Sequence, residues 1–369
     1  MGIKSGKMEN LVDQNFPSES FLNKKVFITG HTGFKGSWLI AILKTFNAEI
    51  KGYSLTPVYS KNLYSIVNDD GLLCESVIHD IRDDKRLQEE IVSFEPDFIF
   101  HLAAQPLVRY SYQHPLETYQ VNTIGTANVL NACRYLSKKC SVIIVTTDKV
   151  YENIEQDYAY KEEDRLGGFD PYSASKATAE IVTQSYRDSF FNLKDLSEHN
   201  IAIASARAGN VIGGGDWATD RIMPDIINAL ETKQKIIVRN PASSRPWQHV
   251  LEPLWGYIYL AAKLHAEPYK FSGSWNFGPY PNDTFTVKEL VEKVLKIWGN
   301  GSYKTPINAN GPHEACLLKL NIDKSIKILG WKPLLSAQQS IEWTINWYKQ
   351  PAENRKEFTF QQIQKYFEL

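Results

Sequence analysis

The chain has 369 residues, 43% of them hydrophobic, so it can bury one large domain or two lobes and is not intrinsically disordered in composition. Its 41 basic and 42 acidic residues give a formal charge of −1, which indicates neither a nucleic-acid partner nor an acidic membrane surface. No apolar run approaches the roughly 18 residues of a membrane span, so a membrane protein is also disfavoured.

The N-terminal segment and the cysteines suggest a cytoplasmic protein. Residues 1–20 are polar and lack the apolar region of a signal peptide, and we expect a disordered extension there. The cysteines show no paired short spacing, which favours free thiols in a reducing compartment over a disulfide framework or a zinc site. No metal site is predicted. The four are Cys74, Cys133, Cys140 and Cys316.

The first strong pattern is an apolar, β-branched run, Val26–Ile28, that leads into three glycines spaced three apart. A helical pattern follows, so the stretch predicts a strand, a tight turn and a helix. Such a turn lets a pyrophosphate approach backbone amides at a helix N-terminus, although a glycine turn without a ligand is equally consistent with the pattern. The predicted cofactor contacts of this turn are Gly30, Thr32, Gly33, Phe34, Lys35 and Gly36.

The next strand is predicted at residues 49–55, and a third strand followed by a turn is predicted within residues 77–83. The first ends at Ser54 without the acidic residue that would bind ribose hydroxyls, which leaves NAD and NADP open at this position. In the second, Asp80 is a candidate acceptor for an adenine amino group, with Ile81 packed on the ring. Asp80 is equally well placed to cap a helix that begins near Lys85.

An apolar strand at 96–104 ends in small residues, which leave room for a flat cofactor at the strand's carboxyl end; helix–sheet packing is the alternative. The candidate cofactor contacts are Leu102, Ala103, Ala104 and Gln105, and His101 is predicted to be a satisfied core histidine. A helix at 122–136 and a strand at 141–145 follow. Strands followed by helices or turns predict an α/β protein with a doubly wound parallel sheet.

The strand at 141–145 runs into Thr147, Asp148 and Lys149, which would lie over the cofactor crevice unless they form an ordinary exposed turn. Tyr172 and Lys176 follow, four residues apart at a helix start and so on one face. An ammonium group near the phenol would lower its pKa and make it a general base. Tyr135/Lys139 and Tyr259/Lys263 share the spacing, but neither follows such a turn.

These residues together resemble the extended short-chain dehydrogenase/reductases and, among them, the CDP-glucose 4,6-dehydratases. The likeness covers roughly residues 22–350. The related dTDP-glucose dehydratases carry Glu where this chain has Lys149. The specific segments are Gly30–Gly36, Thr146–Lys149, Gly213–Trp217 and Arg245–Val250.

The resemblance implies a Rossmann-type sheet with a smaller, mostly α/β C-terminal substrate lobe. Its expected parts are an NAD-binding domain at 21–206, an interleaved sugar-nucleotide lobe at 207–350 and a helical tail at 351–369. It also implies NAD as cofactor, CDP-D-glucose as substrate, a cytoplasmic homodimer, and a product used for deoxysugars of surface polysaccharide such as the O-antigen of lipopolysaccharide.

The resemblance also implies roles for single residues. Tyr172 takes the proton of the C4 hydroxyl, Thr147 orients the C4 oxygen, and Asp148 is the acid at the C6 oxygen. Lys149 assists at C5, and Lys176 also holds the nicotinamide ribose.

The substrate-binding candidates are Asn210, Arg221, Arg245 and Asn276. Either arginine matches a diphosphate, although a solvated arginine is the default. Gly213–Gly215 either lets the backbone approach a ligand or forms a plain loop. His313–Glu314 stands where the dTDP enzymes have an arginine.

Three alternatives stay open at this point. One is a nucleotide-sugar 4-epimerase, which uses the same base and cofactor without eliminating water. Another is a dehydratase that acts on a different nucleotide-glucose. The third is a catalytically silent dinucleotide sensor, which would be expected to have lost the Tyr172/Lys176 pair or the Thr147–Lys149 turn.

Overall fold

The computed structural model describes residues 17–306 and 317–369. The described strands are β1 Lys25–Thr29, β2 Glu49–Ser54, β3 Glu75–Ile78, β4 Phe98–His101, β5 Cys140–Val145, β6 Ala159–Tyr160, β7 Ile201–Ala208, β8 Val211–Ile212, β9 Ile236–Ile237, β10 Ser244–Arg245, β11 Gln248–His249, β12 Gly273–Phe277, β13 Phe285–Thr286, β14 Tyr303–Lys304 and β15 Lys319–Leu320.

The described α-helices are α1 Phe34–Thr45, α2 Leu63–Val67, α3 Asp84–Phe94, α4 Val108–Gln113, α5 Pro115–Tyr119, α6 Gly125–Cys133, α7 Pro171–Ser189, α8 Leu196–His199, α9 Ile222–Glu231, α10 Leu251–Ala266, α11 Pro268–Phe271, α12 Val287–Trp298, α13 Ala337–Tyr348 and α14 Arg355–Phe367. A π-turn at Gln120–Ile124 joins α5 to α6. Short 3₁₀ helices include Pro17–Phe21 and Asp148–Val150.

A seven-stranded parallel sheet organises the molecule, in the order β12-β7-β5-β4-β1-β2-β3. The chain runs outward from β1 to β3, then returns to place β4 on the other side of β1. The strand order therefore reverses between β1 and β4, the position at which open α/β sheets bind ligands beyond the carboxyl ends of their strands. The predicted doubly wound parallel sheet is confirmed.

The sheet is buried on both faces, which explains its nearly continuous apolar strands. One core includes α1 and α10, and its largest buried side chains include Trp38 and Trp275. The other core packs α3 and α6 on the opposite face through Leu87, Ile91 and Val129. Helix α1 is buried all round from Gly36 to Leu43 because α2, α10 and α14 pack around it as well.

Several strands and helices begin or end at other residues than predicted. The third strand ends at Ile78 because the chain turns at Asp80, whose carboxylate accepts a hydrogen bond from the Arg82 backbone N–H. The helix predicted from residue 122 begins at Pro115, where proline fits the first helical position. His101 is a satisfied core histidine, because its ring nitrogens lie 2.7 and 3.0 Å from the Thr29 and Thr126 hydroxyls.

The two ends of the chain also pack on this core. Residues 1–16 of the predicted disordered extension lie outside the described residues. Residues 17–20, however, belong to a 3₁₀ helix whose last residue, Phe21, is fully buried, so that part of the prediction is wrong. The tail is helical: α14 packs beside α1, α2 and α13.

The second half of the chain interleaves with the first. Strand β12 and helix α10 return to the main sheet, while two-residue strand pairs such as β8–β11 and β9–β14 build the smaller lobe. Cys74, Cys133 and Cys140 are buried free thiols, and Cys316 lies outside the described residues. In the described ranges, no helix is both long enough and apolar enough to cross a bilayer.

Candidate active site

A single cleft of about 1210 Å³ runs along the carboxyl ends of β1, β4 and β5 and continues between the sheet and the smaller lobe. It exceeds the volume of roughly 300–1,000 Å³ that is usual for small-molecule pockets. The cleft therefore has room for two extended ligands, one along the sheet edge and one against the smaller lobe.

The glycine turn forms the sheet end of this cleft. Gly30 has φ +80°, and a Cβ there would lie 2.7 Å from the backbone nitrogen of Ala103, so the turn requires glycine. Helix α1 begins at Phe34, and the Gly33 position before it supplies no side-chain cap. The first backbone N–H groups of α1 therefore have no side-chain cap, and they lie beside the cleft. N–H groups in this position are suited to bind a pyrophosphate. All six predicted turn residues line the cleft.

Beside the turn, the end of β2 carries hydroxyl groups in place of a carboxylate. The Thr32 hydroxyl lies 2.8 Å from the Ser54 hydroxyl and donates a hydrogen bond of 2.8 Å to the Leu55 carbonyl oxygen. These contacts fix the end of the strand against the turn.

Asp80 and Ile81 line the same end of the cleft. The Asp80 carboxylate accepts hydrogen bonds from the backbone and side chain of Arg82, which hold its pKa below its usual range. Helix α3 is capped instead by Asp83, whose carboxylate accepts from the Arg86 N–H at 3.1 Å. The alternative that Asp80 caps this helix is therefore wrong.

The small residues after β4 are placed as predicted, with one exception. Leu102, Ala103 and Ala104 line the cleft, but Gln105 does not. The Gln105 side chain donates to the Thr118 hydroxyl at 2.9 Å and accepts from the Leu107 N–H at 2.6 Å. Its amide thus holds the following loop, and its contact with the cofactor stays a prediction.

Thr147, Asp148 and Lys149 follow β5 and line the cleft. The Thr147 hydroxyl donates to the Asp148 carboxylate at 2.9 Å, and Asp148 is buried. Gly209 lies directly behind this carboxylate: a Cβ on Gly209 would be 2.8 Å from Asp148 Oδ2. The sequence analysis missed this role of Gly209, for which the only local signal is a glycine at the end of a buried strand.

Tyr172 and Lys176 lie on the first turns of α7, which Asp170 caps by accepting from the Ser173 N–H at 2.9 Å. The Tyr172 phenol is hydrogen-bonded to Thr147, and burial raises its pKa to about 12. The Lys176 ammonium donates to the Val145 carbonyl oxygen at 2.9 Å, and burial lowers its pKa to about 8. The expectation that the neighbouring lysine lowers the pKa of Tyr172 is therefore wrong, because desolvation dominates.

A buried ion pair between Glu180 and Arg207 fixes the candidate catalytic residues on α7 relative to those that follow β5. Glu180, one turn after Lys176, accepts from Arg207 at 2.9 Å, from the Ser205 hydroxyl at 2.6 Å and from the Thr146 hydroxyl at 2.5 Å. It thereby ties α7 to β7 and to the residue before Thr147. The spacing of four residues from Lys176 places Glu180 on the inner face, a signal that the sequence analysis did not use.

The substrate candidates divide into two groups. Asn210, Arg221 and Arg245 line the cleft, and Arg221 is ion-paired with Asp216 at 3.0 Å. Asn276 does not line it. Its side chain is fully buried, accepts from the Tyr151 hydroxyl at 2.7 Å, and donates to the Tyr160 and Asn321 carbonyl oxygens. Asn276 is a packing residue, which corrects the prediction that it binds the substrate.

Two further expectations concern the segments Gly213–Gly215 and His313–Glu314 in the second half of the chain. Gly214 faces the Trp347 ring, which a Cβ would approach to 2.0 Å, and its carbonyl oxygen accepts from Trp38 Nε1. Packing, and not a ligand, therefore explains this glycine. His313–Glu314 lies outside the described residues. In the described parts of the chain, no group of three or more metal-ligating side chains is found.

Comparisons with known proteins agree with this architecture. A family model described as GDP-mannose 4,6 dehydratase matches residues 27–344. The chain is 46% identical to a CDP-glucose 4,6-dehydratase of Salmonella typhimurium over 339 residues, which covers 92% of this chain and 93% of that protein. It is 24% identical to a UDP-glucose 4-epimerase of Mycoplasma pneumoniae over 70% of this chain and 78% of that protein.

Among solved structures, the fold is similar to that of DesIV, a dTDP-glucose 4,6-dehydratase from Streptomyces venezuelae solved with NAD bound. The TM-score is 0.75 at 22% identity, with 88% of this chain and 97% of that chain covered.

Proposed function

Because the chain belongs to the GDP-mannose 4,6-dehydratase family, we propose that it is an NAD-dependent nucleotide-sugar 4,6-dehydratase that converts CDP-D-glucose to CDP-4-keto-6-deoxy-D-glucose and water. The observation that carries this proposal is the arrangement of the cleft. The glycine turn lines this cleft, and so do Thr147, Asp148, Lys149, Tyr172 and Lys176. The choice of CDP rests on the likeness to the Salmonella enzyme.

The residues at the sheet edge fit NAD. The α1 N-terminus would bind the pyrophosphate, and Asp80 with Ile81 would flank the adenine. Leu102–Ala104 leave space beside the sheet, and Lys176 would hold the nicotinamide ribose. When bound, NAD would supply the oxidising power: it would accept a hydride from sugar carbon C4 and return it to C6.

The groups at the centre of the cleft would move protons. Tyr172 takes the C4 hydroxyl proton as the ketone forms, while Thr147, its hydrogen-bonded neighbour, orients the C4 oxygen. Arg221 opposes the rise in the Tyr172 pKa that burial causes and so favours the phenolate. The ketone acidifies the hydrogen on C5, and Lys149 assists the removal of this proton while Asp148 donates a proton to the C6 hydroxyl, which leaves as water.

The experiment that tests this function is incubation of the purified protein with a panel of nucleotide-glucoses, followed by mass spectrometry and proton NMR. We expect CDP-D-glucose to yield a product lighter by one water that shows a new methyl doublet. A product of unchanged mass with inverted C4 would indicate the epimerase. Conversion of a different nucleotide-glucose would correct the base, and no conversion with retained dinucleotide would indicate the silent sensor.

The proposal includes a homodimer in the cytoplasm. It is supported by apolar side chains that are exposed on helices packed beside one another: Leu116 on α5, Ile124 in the π-turn and Ile181 on α7. Analytical ultracentrifugation should give twice the monomer mass, and Ile124→Glu should shift the protein toward the monomer. A wild-type protein that sediments as a monomer at micromolar concentration would refute the dimer.

A further inference from the structure

The loop after β8 contains a buried charge to which the proposed reaction gives no role. Asp216 is the only charged residue of the segment Gly213–Trp217, and 5% of its surface is exposed. Its backbone N–H donates to the Tyr348 hydroxyl oxygen at 3.0 Å, and the Tyr348 O–H donates to the Asp216 carbonyl oxygen at 2.5 Å. Tyr348 thus fixes the backbone of Asp216 without the help of the carboxylate.

The Asp216 carboxylate instead holds Arg221. Its Oδ2 atom accepts a hydrogen bond of 3.0 Å from Arg221 Nη1, and its Oδ1 atom accepts one of 3.1 Å from the Ala218 N–H. A buried carboxylate is costly unless it is paired and hydrogen-bonded, and both oxygens of Asp216 meet that condition. Because the bond to Ala218 closes a turn around the carboxylate, the Arg221 guanidinium is held by an acceptor that is itself fixed.

Arg221 lies on the lobe side of the cleft. It directly precedes α9, its side chain is 34% exposed, and it lines the cleft. A guanidinium group carries five N–H donors in a planar fork, of which Asp216 engages one nitrogen. Among the residues that the structure describes, no other group accepts a hydrogen bond from the Arg221 side chain. The remaining N–H donors are therefore left for a ligand in the cleft.

The chemistry of this donor set identifies the class of ligand. A fixed guanidinium fork matches two oxygens of a phosphate group at once, which a flexible point charge does not. The pyrophosphate of NAD is expected at the α1 N-terminus on the sheet side, whereas Arg221 belongs to the opposite wall. The ligand that meets Arg221 is therefore a second phosphate-bearing molecule, and a nucleoside diphosphate fits the length of the cleft.

We propose that Asp216 is a positioning residue, which holds the Arg221 guanidinium in the orientation that binds the diphosphate of the nucleotide sugar. This inference rests on the proposed function for the identity of the ligand. Asp216 acts through Arg221 and not by contact with the reacting atoms. An arginine side chain that is ordered before the ligand arrives loses less conformational freedom on binding, so the affinity for the diphosphate is higher.

The charge of Asp216 and its positioning role have opposite effects on binding. The negative carboxylate repels a diphosphate, so the loss of its charge alone would strengthen binding. In Asp216→Asn, an amide N–H₂ group takes the place of the oxygen that accepts from Arg221, and two donors then face each other. The arginine is released and binding weakens if positioning dominates. The sign of the change in affinity therefore distinguishes the two effects.

The first test measures the binding of CDP, UDP and dTDP by isothermal titration calorimetry, together with the nucleosides that lack their phosphates. For the diphosphate that binds best, Asp216→Asn should raise Kd about tenfold, the cost of ordering a released arginine. The Kd of the matching nucleoside should not change. A loop that merely lost its structure would weaken both ligands alike.

Glu231→Gln is the matched control. Glu231 ends α9, the helix that Arg221 precedes, and its carboxylate pairs with Lys61 at 3.1 Å and with Arg355 at 3.7 Å. It does not line the cleft. We expect this loss of an ion pair to leave both the diphosphate and the nucleoside affinities at the wild-type values.

A double-mutant cycle tests whether Asp216 acts through Arg221. Arg221→Met should raise the Kd of the diphosphate by roughly 10–100-fold, as expected for the loss of a charged hydrogen-bond donor. In that background, Asp216→Asn should cause no further weakening, because no guanidinium is left to position. Equal weakening by Asp216→Asn with and without Arg221 would overturn the proposal.

Three other results would overturn it as well. They are unchanged or tighter diphosphate binding in Asp216→Asn, equal weakening for diphosphate and nucleoside, and a wild-type protein that binds none of the three diphosphates. If circular dichroism shows that Asp216→Asn does not fold, Asp216→Glu replaces it. This variant keeps the charge but displaces the carboxylate by one methylene group, so the ratio of diphosphate to nucleoside affinity should fall, and an unchanged ratio would contradict the proposal.

None of these measurements requires turnover. A protein that binds a nucleoside diphosphate through the Asp216–Arg221 pair but dehydrates no nucleotide-glucose would contradict the proposed function and leave this inference standing. A protein that dehydrates CDP-D-glucose with an Asp216→Asn variant of wild-type CDP affinity would do the reverse.

Discussion

The two walls of the cleft are built in different ways. On the sheet side, backbone geometry forms the wall: the ends of β1, β4 and β5 lie side by side, and the α1 N-terminus faces the cleft. On the lobe side, the wall consists of side chains on short strand pairs and loops, held by ion pairs such as Arg221–Asp216. The sheet wall depends on local sequence, whereas the lobe wall depends on contacts between residues far apart in the chain.

This difference predicts where substitutions act. Changes to the chemical groups on the sheet wall should affect the reaction while the fold survives, because the strands beneath them are buried and paired on both sides. Changes on the lobe side should affect either substrate binding or stability, depending on whether the side chain faces the cleft or the interior. Five substitutions test this division.

The largest effect is expected for Tyr172→Phe. Removing the phenol oxygen removes the proposed proton acceptor at C4, so turnover should fall roughly 10²–10⁴-fold. The circular dichroism spectrum and the midpoint of urea unfolding should stay close to wild type. Tyr135→Phe is the matched control, because Tyr135 and Lys139 share the spacing but Tyr135 is exposed far from the cleft. Near-normal turnover in Tyr172→Phe would remove it from this role.

Asp148→Asn should separate two steps of the reaction. The amide keeps the shape of the carboxyl group but has no proton to give to the C6 oxygen. We therefore expect the loss of water to slow by roughly 10²-fold or more, with C4 oxidation less affected. Rapid mixing that follows nicotinamide absorbance and product mass in the same samples distinguishes the steps. Equal slowing of both would mean that Asp148 only positions the substrate.

Gly209→Ala tests whether Asp148 on the sheet wall keeps its position only when residue 209 is a glycine. The added Cβ would lie 2.8 Å from Asp148 Oδ2, so the carboxylate or the strand end has to move. A displacement of about 1 Å in a reacting group can cost roughly 10²-fold in rate. We expect a fall in kcat of that order with KM little changed. Gly278→Ala, whose Cβ would come no closer than 3.7 Å to any neighbouring atom, controls for the loss of a glycine. Equal losses in both variants would exclude the specific contact.

The difference between the sheet wall and the lobe wall also explains which parts of the fold and of the site can be predicted from the sequence. The order of β1–β5, the turn and the Tyr172/Lys176 pair follow from local patterns, because alternation, glycine spacing and helix periodicity are short-range signals. The role of Gly209 and the misassignment of Asn276 depend on pairs separated by 61 and 125 residues along the chain. The pKa of Tyr172 also depended on burial, which the four-residue spacing to Lys176 does not reveal.

The smallest kinetic effect, and the clearest contrast, is expected from two asparagines of the smaller lobe. Asn276→Ala removes the hydrogen bonds of its amide to the Tyr160 and Asn321 carbonyl oxygens and leaves the Tyr151 O–H without its acceptor in the interior. An unsatisfied buried group costs about 1–3 kcal/mol, so the free energy of unfolding in urea should fall by at least that amount. KM of the folded fraction should not change. Asn210→Ala, in the cleft, should instead raise KM and change stability by less than about 0.5 kcal/mol. If Asn276→Ala raised KM at unchanged stability, Asn276 would belong to the binding wall after all, and burial would be a poor guide to function in this lobe.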